Sequence, residues 1–200
     1  MEAEAPPSNF NIANALTLLR ILGVPLFGWL LLSEDGQSVQ LRLWAFVAFV
    51  LLMITDRIDG DLARRHNLVT NFGKLADPIA DKALTGMAFV GLSIIGQLWW
   101  WVTIVVLVRE WGITLMRFVV KKYGVMPASQ GGRVKTTLQA VAIGGYLLPF
   151  EIWDTTFTHV LRVLTHVTMA GALAVTLGTA VLYIRDARKL RSDQKKLTEA

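Results

Sequence analysis

Leu43–Thr55 reads LWAFVAFVLLMIT, a run in which only the final threonine is polar. A helix at the surface of a water-soluble protein keeps an apolar stripe on one side and charge on the other. Wound as a helix, this run is apolar on every side, so it calls for a surround of lipid. Working outward, the apolar window extends over Leu41–Asp59, close to the roughly 20 residues that a helix needs to cross a bilayer. Five more windows of that kind follow the chain: Leu16–Leu32, Gly73–Gly96, Leu98–Val120, Val134–Phe150 and Phe157–Ile184. The breaks between them are short and polar: Ser33–Gln40, Leu62–Phe72, Lys121–Gly132 and Glu151–Thr156. The expected fold is an all-α integral membrane protein with six transmembrane helices, which leaves no room in 200 residues for a soluble domain.

Composition agrees. Hydrophobic residues make up 54% and charged residues 18%, against about 45–50% and about 25% in soluble domains. Cysteine is absent, which removes disulfides, thiolate metal sites, iron–sulfur clusters and a cysteine nucleophile. Met1–Ser8 (MEAEAPPS) is acidic and bears prolines, the opposite of the positive start of a cleavable signal peptide. It reads as an N-terminal extension, 1–8, ahead of a membrane domain over 9–184 and a basic tail over 185–200. Asn9–Thr17 (NFNIANALT) is expected to form a short amphipathic juxtamembrane helix feeding the first span, with Ser8 or Asn9 as its N-cap.

Lysine and arginine set the orientation. Arg64, Arg65, Lys74, Lys121, Lys122, Arg133, Lys135, Arg185, Arg188, Lys189, Arg191, Lys195 and Lys196 collect at one set of ends. The opposite loops carry Glu34, Asp35, Glu151 and Asp154, with Arg42 at a border. Both termini are therefore expected in the cytoplasm. Trp29, Trp44, Trp99, Trp100, Trp101 and Trp153 fall near the outer ends, where aromatic belts form. The run Arg185–Lys196 reads as a patch on anionic lipid, worth about 1 kcal/mol per cation, and no nucleic-acid partner is expected.

The chemistry is concentrated in Asp56–Asp81, DRIDGDLARRHNLVTNFGKLADPIAD, which holds five of the fifteen acids. An acid within a span costs about 2.5–3.5 kcal/mol, so these need a purpose. Counted from Arg42, Asp56 lies about 21 Å along its helix, near the cytoplasmic boundary. Asp56 and Asp59 are spaced i, i+3, and Asp77 and Asp81 i, i+4, so each pair shares a helix face. Asp61 points elsewhere and reads as a solvated acid. Four carboxylates on two helices repel one another unless positive charge lies between them. Mg²⁺ pairs with a few carboxylates and substrate phosphates, and two ions can clamp the attacking and leaving oxygens around one phosphorus. Gly60, Ala63 and Gly73 lack bulk and admit a nucleotide or a neighbouring backbone. Arg64 offers a fork to phosphate oxygens.

The ordered set Asp56, Asp59, Gly60, Ala63, Arg64, Gly73, Asp77 and Asp81 reads D-x2-D-G-x2-A-R-x8-G-x3-D-x3-D. It resembles the signature of the CDP-alcohol phosphotransferase family at all eight fixed positions. The resemblance implies transfer of a phosphoalcohol group from a CDP-alcohol to an acceptor hydroxyl, with release of CMP. By that resemblance Asp56, Asp59, Asp77 and Asp81 are metal ligands for two ions, Mg²⁺ or Mn²⁺. Asp81 is also the proton acceptor. Gly60, Ala63, Arg64 and Gly73 contact the nucleotide and diphosphate, joined by Thr70 and by Asn14 and Thr17 of Asn14–Thr17 (NALT). The resemblance also implies a homodimer. The row Ala170, Ala174 and Gly178 offers small residues to another helix, although packing within one chain explains that row equally well.

Further stretches, Asn11–Arg20 (NIANALTLLR), Leu75–Lys82 (LADPIADK), Arg109–Arg117 (REWGITLMR) and Gly132–Gln139 (GRVKTTLQ), are similar to bacterial phosphatidylglycerophosphate synthases. That subfamily takes CDP-diacylglycerol as donor and glycerol 3-phosphate as acceptor. Arg109 and Arg117 lie two helical turns apart on one face, and Arg133 and Lys135 open the fifth span. A cluster of intramembrane cations is costly unless an anion fills it, and the phosphate of glycerol 3-phosphate is such an anion. Glu110 is placed to orient one of them. A cardiolipin synthase using phosphatidylglycerol, a synthase with an inositol or serine acceptor, and a small cation or proton transporter are the alternatives. The absence of a repeat of the acidic segment in Leu98–Ile184 counts against the transporter.

Overall fold

A computed structural model describes residues 12–65, 71–120, 130–152 and 155–199, with side chains over 15–56, 58, 79–116, 132–150, 152 and 155–188. The described residues form six α-helices: α1 (Ile12–Leu32), α2 (Val39–Arg65), α3 (Asn71–Ile94), α4 (Trp100–Val120), α5 (Gln130–Leu147) and α6 (Thr156–Glu199). Short 3-10 turns lie at Ser33–Gly36 and Phe150–Ile152. Among the described residues three helices are long and apolar enough to cross a membrane, over Ala15–Gly36, Val39–Asp56 and Thr156–Arg188. Their outward faces present large apolar residues such as Leu22, Leu51, Val163 and Val167. In water a continuous apolar surface of that kind associates, whereas hydrocarbon solvates it.

Several boundaries differ from the hydropathy reading: α5 begins at Gln130, inside the expected break, α6 runs on to Glu199, beyond Ile184, and two more lie in α1 and α2. From Ile12 onward the chain is one continuous helix to Leu32, so no break separates the residues expected as a juxtamembrane helix from the first span. The sequence has no glycine or proline there before Gly23 and Pro25 to force one. At the other end, α2 stays helical through Arg65, beyond the expected break at Leu62. Leu, Ala and Arg all favour helix, and helical hydrogen bonding continues after hydropathy has fallen.

The chain divides into two compact units, Met1–Gln97 with Leu147–Pro149, and Leu98–Tyr146 with Phe150–Ala200. In the first unit α1 packs against both α2 and α3. Its buried residues Thr17, Arg20, Val24, Phe27 and Leu31 recur at alternating three- and four-residue steps. Ala45, Phe49 and Leu52 make the matching stripe on α2, and Ala80, Leu84, Ala88 and Leu92 the stripe on α3. Phe27 and Phe49 meet with ring centroids 5.8 Å apart. Gly23 permits close approach: a Cβ there would lie 2.6 Å from Leu52 Cδ2.

The turn from α1 to α2 holds Glu34, Asp35 and Gly36 in the left-handed region, with φ of 54°, 53° and 70°. For the two acids this costs about 1–2 kcal/mol each. Gly36 is buried against Ile95, where a side chain would collide. Beyond the turn, the buried Arg42 donates from Nη2 to the Leu148 carbonyl at 3.3 Å.

The second unit is built on α4, α5 and α6. Val102, Val106 and Ile113 of α4 are buried, as are Ala142, Ile143 and Tyr146 of α5. On α6 the inward stripe is Met169, Ala172, Thr176, Thr179, Tyr183 and Ala187. Ala170, Ala174 and Gly178 are exposed instead, so packing among the described residues does not account for that row of small residues.

Candidate active site

The acidic motif lies on α2 and α3 of the first unit. Asp56 continues the α2 stripe one turn beyond Leu52, and its Oδ1 sits 2.6 Å from Nη1 of Arg20 on α1. The guanidinium is completely buried while the Asp56 side chain is 35% exposed. Asp81 on α3 is half-buried beside Ala80, and its carbonyl accepts a 2.8 Å hydrogen bond from Thr85 Oγ1. Asp59 and Asp77 lie in the same uninterrupted helices, but their side chains fall outside the described residues. So do those of Asn14, Arg64 and Arg117, while Thr70 falls outside altogether. Gly60 and Ala63 are on the last turns of α2, and Gly73 is in the first turn of α3. Thr17 is buried, one turn before Arg20 on the same face of α1.

Among the described residues, which leave out the side chains of Asp59 and Asp77, no three metal-binding side chains come together. The donors that are described suit a hard divalent cation. Carboxylate oxygens are the ligands that Mg²⁺ and Mn²⁺ prefer. The Asp56 carboxylate is held by a buried partner and keeps 35% of its side chain exposed.

A second polar cluster occupies the second unit. Arg109 Nη1 donates to Glu110 Oε1 at 2.9 Å, and Lys135 Nζ donates to the same oxygen at 2.5 Å. Arg109 Nε donates to the Thr176 carbonyl and Nη2 to Thr179 Oγ1, at 3.2 and 2.6 Å. Gln139 Nε2 reaches Thr176 Oγ1 at 3.2 Å. The Arg109 and Lys135 side chains are each 8% exposed. Two cations thus share one carboxylate in a buried setting. Arg133, two residues before Lys135 on α5, is exposed. Elsewhere in the unit, Tyr146 Oη and His166 Nδ1 lie 2.7 Å apart, and the imidazole stacks on Trp99.

The profile of CDP-alcohol phosphatidyltransferases matches residues 10–178, which takes in the whole acidic motif and all of the second cluster but Thr179. The chain belongs to the CDP-alcohol phosphatidyltransferase family. It is a membrane-associated phosphatidyltransferase. A protein named probable phosphatidylglycerophosphate synthase, from Mycobacterium tuberculosis, is 46% identical over 181 residues, 90% of this chain and 82% of its own length. A CDP-diacylglycerol–glycerol-3-phosphate 3-phosphatidyltransferase of Bacillus subtilis is 36% identical over 156 residues, 72% of this chain and 81% of its own. A CMP-forming cardiolipin synthase of Streptomyces coelicolor is 37% identical over 117 residues, 58% of this chain and 54% of its own.

Within this phosphatidyltransferase, sequence reasoning passed over two roles. Arg20 is the only charged residue in α1, and a lone cation in an apolar helix is a signal that a partner acid waits on a neighbour. Glu110 was expected to orient one cation and holds two. Thr176 and Thr179 gave no sequence signal, because polar residues of that size are common in membrane helices.

Proposed function

We propose that this phosphatidyltransferase joins CDP-diacylglycerol to glycerol 3-phosphate, giving phosphatidylglycerophosphate and CMP in phospholipid biosynthesis. The observation that carries the choice of acceptor is the convergence of Arg109 and Lys135 on the single carboxylate of Glu110. Among the described residues two cations and one acid leave one positive charge buried, and such a charge is costly without an anion. A phosphomonoester supplies that anion, whereas the glycerol head of phosphatidylglycerol carries no terminal phosphate. Arg117 and Arg133 complete the phosphate-binding set in this reading.

The motif handles the donor. Asp56, Asp59, Asp77 and Asp81 would hold two Mg²⁺ or Mn²⁺ ions. When bound, these ions neutralise the diphosphate and ease departure of the nucleotide. Asn14, Thr17, Gly60, Ala63, Arg64, Thr70 and Gly73 bind the CDP portion. Asp81 accepts the proton of the primary hydroxyl of glycerol 3-phosphate. The freed oxygen bonds to the phosphorus that bears diacylglycerol, and the bridging bond to CMP breaks. Direct displacement needs no covalent enzyme intermediate.

The same reading includes six membrane spans with both termini in the cytoplasm of a bacterial plasma membrane, and a homodimer. The exposed row Ala170, Ala174 and Gly178 supports association, since small residues let helix backbones approach. The test is purified protein in detergent with CDP-diacylglycerol, Mg²⁺ and a panel of acceptors. CMP release is expected with glycerol 3-phosphate. Turnover with phosphatidylglycerol and none with glycerol 3-phosphate would instead establish a cardiolipin synthase.

A further inference from the structure

Arg20 stands in a helix that is otherwise uncharged from Ile12 to Leu32. A cation there costs about 2.5–3.5 kcal/mol on insertion scales, so its retention calls for a purpose. The stripes of α1 and α2 run alongside each other as a ladder. Phe27 meets Phe49, Gly23 meets Leu52, and at the next rung Arg20 meets Asp56. The first two rungs are apolar packing. The third is an ion pair with unequal sides, its guanidinium sealed at 0% exposure and its carboxylate open at 35%. An ion pair serving only to join the helices has no need of an open carboxylate.

From this arrangement we infer that Arg20 is a positioning residue for the acidic motif. It fixes the plane and rotamer of the Asp56 carboxylate, so that the acid is set to ligate a divalent cation before the cation arrives. A carboxylate has about four lone-pair sites, enough to accept a guanidinium and a metal ion together. The inference rests on the metal-binding reading of the motif given above.

Two physical effects oppose each other here, which makes the sign of the outcome decisive. A fixed positive charge near a cation site repels the cation, so on charge alone removal of Arg20 tightens metal binding. Loss of an ordered ligand weakens it, by about 10–100-fold for partners that orient a metal ligand. Mn²⁺ binding to the full chain in detergent, without substrates, is read from the electron paramagnetic resonance of free Mn²⁺. The parent is compared with Arg20→Gln, Arg20→Lys, Asp56→Asn and the Arg20→Gln/Asp56→Asn double variant, and thermal unfolding establishes which are folded. Arg20→Gln is expected to weaken binding at least about tenfold. Arg20→Lys, which keeps the charge and loses the fork, falls between Gln and the parent. The double variant is no weaker than Asp56→Asn alone, because both changes disable the same ligand. Unchanged or tighter binding in Arg20→Gln, or additive losses in the double variant, overturns the inference. Should Arg20→Gln not fold, Arg20→Lys decides alone: weakened binding upholds the role and parental binding overturns it. Parental affinity in Asp56→Asn, or no Mn²⁺ binding by the parent, defeats the metal reading itself and the role of Arg20 with it.

Discussion

Single side chains carry the sharpest expectations. Asp81→Asn keeps the shape of the side chain and removes its capacity to take a proton. Transfer to glycerol 3-phosphate is expected to fall by about 10²–10⁴-fold, the usual worth of a positioned general base. The measurement is CMP release at saturating donor, and retention of most activity would remove Asp81 from the proton-accepting role. Arg109→Ala and Lys135→Ala test the other cluster. Either change leaves Glu110 with one cation instead of two, so the buried positive charge that favours a phosphate is gone. A hydrogen bond to a charged group is worth about 1.5–3 kcal/mol, or roughly a tenfold to hundredfold rise in acceptor KM. The donor KM is expected to stay near its parental value. Equal rises in both would count against an acceptor-phosphate site. Glu110, for its part, shows what residue-by-residue reading misses. Its position in Arg109–Arg117 was plain from sequence, but that Lys135, 25 residues further on, shares its carboxylate oxygen required the coordinates.

At the scale of helices, close approach is set by small residues. Gly145 of α5 faces Thr165 of α6 so closely that an added Cβ would collide with the Thr165 hydroxyl. Thr165 is not free to swing aside without cost, since its hydroxyl donates to the Leu161 carbonyl at 2.9 Å. Gly145→Leu is therefore expected to destabilise the protein by about 1–3 kcal/mol, the range for overpacking. The lower midpoint would appear in thermal unfolding followed by circular dichroism, and an unchanged midpoint would contradict the close contact. The helices were largely legible from the sequence, because an apolar run bounded by polar turns sets both length and type. Their ends were less so. The residues DGDLARR after Ile58 carry a falling hydropathy but no helix breaker other than Gly60, and α2 runs on through them. Hydropathy reports where lipid ends, and backbone hydrogen bonding reports where the helix ends. In α2 those two places are about two turns apart. For the same reason Arg20 went unassigned. Its stretch reads as an apolar helix with one stray charge until the α1 and α2 stripes are laid together and Asp56 falls opposite it.

The whole molecule poses a question of parity. Among the described residues α1, α2 and α6 are long and apolar enough to span, and a six-span topology requires α3, α4 and α5 to cross as well. If only the three qualifying helices crossed, two crossings would separate Gln37 from Arg188 and both would face the same side. With six spans, five crossings separate them and they face opposite sides. The chain contains no cysteine, so single cysteines can be introduced without removing any. Gln37 and Arg188 are exposed, one in the α1–α2 turn and the other near the polar end of α6. In intact cells a membrane-impermeant maleimide is expected to label Gln37→Cys. It is expected to label Arg188→Cys only after the membrane is opened, in keeping with the basic tail facing the cytoplasm. Labelling of both before permeabilisation would leave an even number of crossings between them. That result would break the six-span topology and place the basic tail on the wrong side for anionic cytoplasmic lipid.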